Sequence, residues 1–200
     1  MEQELYILDI IGTFAFAMYG SYFALEKKFD ILGISVAAFL TAFGGGTIRE
    51  ILLNNIPFYL YDMNYIIAII VAIIFTIFIF KKFDKIQQFA LFIDSIGLVT
   101  FAFIGASKAS EFGFGIFGIT FFAAINAVGG GALRDVVLNK IPQIMYYDCY
   151  ASIAILLGIT YSLLNEYMIN TWWANGVIGI FLCIRLLSIV YKVNLWKPKL

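Results

Sequence analysis

The sequence contains no histidine and few charged residues. Its 200 residues include 13 lysines and arginines and 13 aspartates and glutamates, so the formal net charge is zero and 13% of the chain is charged. The absence of histidine removes the commonest general base, the commonest metal ligand and the Ser/His and Cys/His nucleophile pairs. The balanced charge gives no net positive field that would favour binding to nucleic acid. We therefore expect a protein that is not an enzyme, binds no nucleic acid and carries no metal ion or other cofactor.

Hydrophobic residues, in contrast, make up 62% of the chain, and the mean hydropathy is +0.94. A helix needs about 20 apolar residues to cross a hydrocarbon core of about 30 Å. The candidate stretches are Leu5 to Leu25, Ile31 to Leu53, Tyr65 to Phe80, Phe89 to Ser107, Phe114 to Leu138, Ala151 to Leu164 and Thr171 to Val190. The chain is therefore predicted to be an all-α membrane protein, a single domain of residues 1–200 that crosses the lipid bilayer of the cell membrane seven times.

Positively charged residues between these stretches predict the orientation of the chain. Cytoplasmic loops of membrane proteins carry an excess of lysine and arginine. Alternating crossings leave only Lys108 on one side of the membrane. The lysines on the other side are Lys27, Lys28, Lys81, Lys82, Lys85, Lys140, Lys192, Lys197 and Lys199. We therefore expect the amino terminus outside the cell and the carboxyl terminus in the cytoplasm.

The chain contains an internal repeat. At an offset of 85 residues, the stretch from Asp9 to Pro57 aligns without a gap with the stretch from Asp94 to Pro142, and roughly 22 of the 49 pairs are identical. One repeat contains three crossings, an odd number, so the second copy has the opposite orientation in the membrane. The sequence predicts two inverted three-helix repeats, about 1–86 and about 87–166, and a seventh helix at about 170–191. Inverted repeats are typical of transport proteins, with the site at their interface.

Each copy carries three consecutive glycines, Gly44–Gly46 in the first and Gly129–Gly131 in the second. A glycine costs a helix about 1 kcal/mol relative to alanine, so two such runs at corresponding places require a reason. One explanation is close helix packing through small residues. The other explanation, which we favour, is that the helix breaks or kinks there. Backbone groups freed in this way are tolerated in a membrane only beside a wet cavity or within protein.

Two arginines, Arg49 and Arg134, lie within the spans just after the glycines. A charged side chain in lipid costs at least about 2.5 kcal/mol and normally faces the bundle interior or a cavity, with a partner. The partners that we predict are Asp9 for Arg49 and Asp94 for Arg134, with the adjacent Glu50 and Asp135 as competing partners. These pairs either belong to the pathway or only hold helices together.

The repeated motif resembles that of a known family. It is formed by Thr41–Glu50 followed by Asn54–Pro57, and again by Asn126–Asp135 followed by Asn139–Pro142. This pattern is similar to that of the prokaryotic TRIC-like (trimeric intracellular cation channel) family, whose repeat is also named the glycine transporter domain. The resemblance covers the whole chain. It implies a homotrimer in which each seven-helix subunit has its own pore, framed by the second and fifth helices and permeable to potassium and other monovalent cations.

The resemblance also implies roles for individual residues. The pore hinges would be the two glycine triplets, with Arg49 and Arg134 nearby. The residues expected to coordinate a partly hydrated cation are Thr41, Thr47, Ser35 and Asn126. The alternative function is transport of glycine or a similar small zwitterion, since a broken helix and an arginine suit a carboxylate and free carbonyls suit an ammonium. Arginines beside the path favour this alternative slightly unless aspartates neutralise them.

Overall fold

The computed structural model describes residues 2–80, 86–145, 149–168 and 171–193. Regular structure within these ranges is entirely helical, as predicted. The helices are α1 (Glu2–Glu26), α2 (Ile31–Leu52), α3 (Met63–Phe80), α4 (Ile86–Glu111), α5 (Ile116–Val137), α6 (Ala151–Leu163), α7 (Asn165–Met168) and α8 (Thr171–Val190), and short 3-10 turns span Phe58–Leu60 and Gln143–Met145. Of the lysines that predict the orientation, Lys81, Lys82, Lys85, Lys197 and Lys199 lie outside the described residues.

Six of the helices in the described ranges are long and apolar enough to cross a membrane, namely α1 to α5 and α8. Seven were predicted, and the sixth is shorter than expected. The helix α6 has 13 residues, or about 20 Å at 1.5 Å per residue, which is less than the hydrocarbon thickness of about 30 Å. It begins only at Ala151 because the backbone at Cys149 is left-handed, with φ of 60°. The described residues thus contain six full-length spans and one shorter apolar helix, and the arrangement of seven crossings stays a prediction.

The helices α1 and α4 form the centre of the bundle. In α1 and α4, 67% and 72% of an apolar 18-residue segment is buried inside the protein. The corresponding values are 28% for α3 and 22% for α8. The rings of the repeat partners Phe16 and Phe101 pack together between α1 and α4, with centroids 5.1 Å apart. The outer helices expose large apolar side chains, including Ile70, Phe78, Ile180 and Leu187. Such a surface suits lipid or another subunit and would be unfavourable in water.

The helices α2 and α5 end in the same way. Each is followed by an asparagine in the left-handed region, Asn54 with φ of 56° and Asn139 with φ of 53°. Asparagine is one of the few residues that adopt this conformation readily. The next amide then donates to the carbonyl five residues earlier over 2.8 Å, Asn55 to Glu50 and Lys140 to Asp135. The repeat is therefore present in the backbone as well as in the sequence.

The glycine triplets are the place where α2 and α5 contact each other. A Cβ atom on Gly44 would lie 2.8 Å from Cα of Gly130, and one on Gly129 would lie 3.2 Å from Cα of Gly45. Only glycine lets two helix backbones approach this closely. Both helices continue through the triplets without interruption. The predicted helix break is therefore wrong, because each triplet packs against the other backbone in the way that the close-packing explanation requires. A kink without a break stays a prediction.

Candidate functional site

Thr41 and Asn126, two of the expected cation ligands, are repeat partners at the contact of α2 and α5. A Cβ atom on Gly130 would overlap the carbonyl oxygen of Thr41, and one on Gly45 would overlap that of Asn126. The hydroxyl of Thr41 donates to a carbonyl one turn earlier in α2 over 2.6 Å, and the amide of Asn126 donates to the carbonyl of Phe101 over 2.7 Å. Both side chains are buried. The bond of Thr41 lies within α2, and that of Asn126 joins α5 to α4.

The other two expected ligands also bond locally. Thr47 donates to the carbonyl of Phe43 over 2.8 Å, and its hydroxyl lies 2.9 Å from that of Tyr59. Ser35 is exposed and donates to a carbonyl of its own helix over 2.8 Å. All four side chains donate to backbone carbonyl groups of the protein. Their role as cation ligands stays a prediction.

The two arginines that follow the glycine triplets, Arg49 and Arg134, each bind the next acidic residue in the chain. Arg49 donates to Glu50 from Nε over 2.8 Å and from Nη2 over 2.5 Å. Arg134 donates to Asp135 from Nε over 2.9 Å and from Nη2 over 2.8 Å. All four side chains are almost fully buried. A buried charge is stable only when it is paired and hydrogen-bonded, and both arginines meet this condition within their own helix.

The predicted pairing of Asp9 with Arg49 and of Asp94 with Arg134 is therefore wrong. Among the described residues, neither pair forms an ion pair within 4.0 Å. The competing acidic neighbours are bound instead, because they offer a carboxylate without crossing a helix interface. The two aspartates accept hydrogen bonds from tyrosines, Asp9 from Tyr65 over 3.2 Å and Asp94 from Tyr150 over 3.1 Å.

Asp94 has a further partner, for which the described residues give no equivalent at Asp9. Arg185 of α8 places Nη2 3.7 Å from Oδ2 of Asp94, and its Nη1 donates to the carbonyl of Cys149 over 3.1 Å. The guanidinium carbon lies 5.0 Å from the ring centre of Tyr150. Since α8 lies outside the repeat, this arginine makes the two halves of the molecule chemically different.

A cavity of about 390 Å³ with both apolar and charged residues in its lining opens beside Asp9, between the start of α1 and the ends of α2 and α4. Its charged lining comprises three carboxylates, from Asp9, Glu50 and Glu111, and two cations, from Arg49 and Lys108. The outermost pair, Lys108 and Glu111, is exposed and forms a salt bridge of 2.9 Å. Deeper in the cavity wall, Oδ1 of Asp9 and Nη1 of Arg49 are buried without a hydrogen-bond partner. The cavity thus combines one excess negative charge with a free acceptor and a free donor.

The corresponding place in the second repeat contains aromatic rings. The part of α4 that lines the cavity includes Ile104 and Lys108, and the residues 85 positions earlier are Tyr19 and Phe23. The guanidinium carbon of Arg134 lies 5.0 Å from the ring centre of Tyr19 and 4.3 Å from that of Phe23. One ring, that of Phe58, lies 5.6 Å from the guanidinium carbon of Arg49. The difference is therefore on the facing helix, which places two rings over Arg134 and places Ile104 and Lys108 at the equivalent positions of the first site.

Sequence reasoning missed three residues of these two clusters. Tyr65 and Tyr150 are separated by the repeat offset and lie just beyond the aligned stretch, so extending the alignment would have found them. Arg185 lies within the apolar stretch Thr171 to Val190, and the sequence assigns it no partner. Its contact with Asp94 has no sequence signal, because α8 has no repeat partner with which to compare it.

The chain is similar to several membrane proteins. A family model described as glycine transporter matches residues 6–81 and again residues 91–166. The UPF0126 membrane protein of Vibrio cholerae is 34% identical over 195 residues, which cover 96% of this chain and 81% of that protein. The UPF0126 inner membrane protein YadS of Escherichia coli K12 is 34% identical over 159 residues, which cover 78% of this chain and 77% of that protein.

Solved structures with the same fold are channels. A prokaryotic TRIC channel crystallised in 0.5 M KCl has a TM-score of 0.90 and 33% identity, over 98% of this chain and 100% of that one. A structure described as the basis for conductance through TRIC cation channels has a TM-score of 0.88 and 33% identity, over 97% of each chain. The TRIC trimeric intracellular cation channel orthologue from Rhodobacter sphaeroides has a TM-score of 0.84 and 27% identity, over 94% and 98%.

Proposed function

Because the chain belongs to the TRIC-like family, whose glycine transporter model matches both stretches of its repeat, we propose that it is a homotrimeric channel for monovalent cations, including potassium. In this proposal each subunit has its own pore. The chain is a multi-pass membrane protein, with six membrane-length helices in its described residues, and the similar protein YadS is an inner membrane protein. The similar structures are TRIC cation channels, and the orthologue from Rhodobacter sphaeroides is described as trimeric. These likenesses support a transport protein rather than an enzyme.

The observation that carries this proposal is the charge of the cavity beside Asp9. Three carboxylates and two cations line it. A cation that enters the cavity is therefore stabilised electrostatically, and an anion is destabilised. Its low-dielectric walls strengthen this preference. Rings of acidic side chains supply selectivity in cation channels in the same way. The cavity is therefore the outer entrance of the proposed pore.

The architecture of the pore follows from the reciprocal contacts between repeats. Gly44 faces Gly130 as Gly129 faces Gly45, which is the pattern of a two-fold axis through the contact of α2 and α5. In our proposal this axis lies in the membrane plane and relates two inverted three-helix repeats, with α8 as the seventh helix. The amino terminus lies outside and the carboxyl terminus in the cytoplasm. The pore opens when α2 and α5 kink at Gly44–Gly46 and Gly129–Gly131 and separate.

Potassium flux through proteoliposomes tests the proposal. The variant Glu111→Lys changes the charge of the cavity lining from one excess negative to one excess positive charge. Glu166→Lys makes the same change of charge at an exposed residue of α7 that does not line the cavity. We expect the wild type and Glu166→Lys to release potassium and Glu111→Lys to release it several-fold more slowly. Equal rates for all three proteins would contradict a cation entrance at this cavity.

A second candidate function is transport of glycine or another small zwitterion. The specific observation in its favour is that a free acceptor, Oδ1 of Asp9, and a free donor, Nη1 of Arg49, belong to residues of one cavity. An ammonium group would bind the first and a carboxylate the second. Saturable uptake of labelled glycine without potassium flux, abolished in Asp9→Asn, would establish this function in place of the channel.

A further inference from the structure

We propose that Tyr19 and Phe23 form a plug that closes the pathway at the second repeat, opposite the open cavity. The proposal rests on the proposed transport function, and it names the residues that limit passage. It follows from comparing two sites that the repeat makes equivalent. One site has a cavity of about 390 Å³, and the other holds aromatic rings against Arg134.

The two sites share their charged framework. Each has an arginine bound to the next acidic residue and an aspartate bound by a tyrosine hydroxyl. The matching groups are Arg49 and Arg134, Glu50 and Asp135, Asp9 and Asp94, and Tyr65 and Tyr150. Since these groups are conserved between the halves, they do not explain why one half is open. The difference must come from residues that the repeat does not preserve.

The residues that differ lie on the helix facing the arginine. In the first site this helix is α4, and it presents Ile104 and Lys108 to the cavity. Lys108 extends outward to Glu111 and leaves the space below it open. In the second site the facing helix is α1, where Tyr19 and Phe23 stand at the equivalent positions. Two planar rings replace an aliphatic and a flexible side chain.

Several contacts hold the plug in place. The rings of Tyr19 and Phe23 pack edge to face with centroids 5.0 Å apart. The amide of Gln143 donates to the hydroxyl of Tyr19 over 3.1 Å, and Nζ of Lys140 lies 4.1 Å from the ring centre of Phe23. Stacking of cations on aromatic faces is favourable, and most so where water is excluded. The plug is thus bound by its surroundings and does not merely fill space.

The plug has a direct consequence for a permeating cation. Beneath the rings lie Arg134 and Asp135, each 1% exposed, so a hydrated ion does not reach this carboxylate while the rings are in place. Arg185 places a second guanidinium beside the same cluster, which adds a positive barrier. Hydrophobic constrictions that exclude water are a common form of channel gate. Passage therefore requires the rings to leave Arg134.

The test is to replace the two aromatic rings of the second site by side chains without a ring. The variant Tyr19→Ile with Phe23→Ala copies Ile104 and removes the second ring, and Phe23→Leu is a milder variant that keeps an apolar side chain. Proteoliposomes report potassium release and labelled glycine uptake separately. We expect about tenfold faster flux in the double variant, which corresponds to about 1.4 kcal/mol, and a smaller increase in Phe23→Leu. The control is Phe117→Ala, whose ring on α5 is 82% exposed, and it should behave as the wild type.

The mirror-image variant provides the opposite test. Ile104→Tyr with Lys108→Phe brings the two aromatic residues to the first site, and we expect it to close the cavity and abolish flux.

The plug proposal is contradicted if the double variant at Tyr19 and Phe23 conducts no faster than the wild type and Phe117→Ala. If only glycine crosses the membrane, the channel function fails, and the plug is judged by the same comparison of glycine rates. If neither solute crosses with any correctly assembled variant, both proposals fail.

Discussion

Asp135 is bound by protein groups through both of its carboxylate oxygens. It binds Arg134 through one oxygen and accepts the backbone N–H of Gln143 through the other over 2.9 Å. Its side chain is 1% exposed, whereas that of Glu50 is 8% exposed and lies beside the cavity. Removing one partner of a buried ion pair leaves an uncompensated charge and costs about 3–5 kcal/mol. We therefore expect Asp135→Asn to destabilise the protein by about 3 kcal/mol.

The matched variant in the other repeat is Glu50→Gln. Water in the adjoining cavity can solvate the guanidinium that this substitution leaves behind, so the expected loss is less than half as large. Thermal unfolding of the two purified variants, followed by fluorescence in the same detergent, measures the difference. An equal loss of stability in the two variants, or a larger loss in Glu50→Gln, would show that the second site is no more enclosed than the first.

At this scale the sequence identifies the important charges better than their partners. The cost of a charge in lipid predicts that Arg49 and Arg134 are buried and paired, and both are. Whether Arg49 pairs with Asp9 or with Glu50 depends on the directions of the side chains and on the hydrogen bond that Tyr65 donates to Asp9. Those directions come from the packing of α1 against α3, which an alignment of the two repeats does not contain.

At the scale of the helices, the glycine triplets leave no space for an added side chain at the contact of α2 and α5. A Cβ atom on Gly130 would overlap the carbonyl of Thr41 on the facing helix, whereas a Cβ atom on Gly176 of α8 would meet nothing within 4 Å. Forcing an extra methyl into a packed contact usually costs about 1–3 kcal/mol, while alanine in a free helix position gains about 1 kcal/mol over glycine. We expect Gly130→Ala to lower the thermal midpoint and Gly176→Ala to leave it unchanged or raise it.

The same measurement on Gly45→Ala adds a test of symmetry. Gly45 meets the carbonyl of Asn126 as Gly130 meets that of Thr41, so the two substitutions should be destabilising to a similar degree. If both are tolerated as well as Gly176→Ala, then α2 and α5 are not in backbone contact at the triplets in the resting protein.

The helices themselves are well predicted, and the state of the glycines is not. Apolar stretches of sufficient length specify α1 to α5 and α8 within a few residues, because backbone groups in lipid have to be hydrogen-bonded within the helix. Glycine removes a side chain, and the outcome depends on what fills the space. Here another glycine backbone fills it, so the helix stays intact. Nothing within one triplet distinguishes that outcome from a break.

For the whole molecule, inverted repeats predict opposite locations for equivalent residues. Glu26 and Glu111 are repeat partners, and both are exposed at the ends of α1 and α4. In a background with Cys149 and Cys183 replaced by serine, we expect Glu111→Cys to react with an impermeant maleimide in intact cells. Glu26→Cys should react only after the membrane is permeabilised. Labelling of both from one side would refute the inverted arrangement.

A second prediction for the whole molecule concerns assembly. The outer helices α3 and α8 have only 28% and 22% of their apolar segments buried, which leaves wide surfaces for neighbouring subunits. Native mass spectrometry from detergent should give three times the subunit mass of 22.5 kDa. A predominant monomer or dimer that still transports would contradict the homotrimer.

The repeat accounts for how much of the molecule is predictable from sequence. It indicates which residues are equivalent, and the reciprocal contacts at the glycines follow that equivalence. It does not indicate which differences matter, because the alignment pairs Phe23 with Lys108 as only one of many non-identical pairs. The contribution of α8 is likewise outside the repeat.

The most direct test of the account is the reversal potential of the purified protein in a planar bilayer with a tenfold gradient of KCl. A cation-selective pore behind an acidic entrance should reverse near the equilibrium potential of potassium, about 59 mV in magnitude for a monovalent ion. The variant Glu111→Lys should move the reversal potential toward zero. Reversal at zero or at the chloride potential in the wild type, or no current at all, would contradict the central claim.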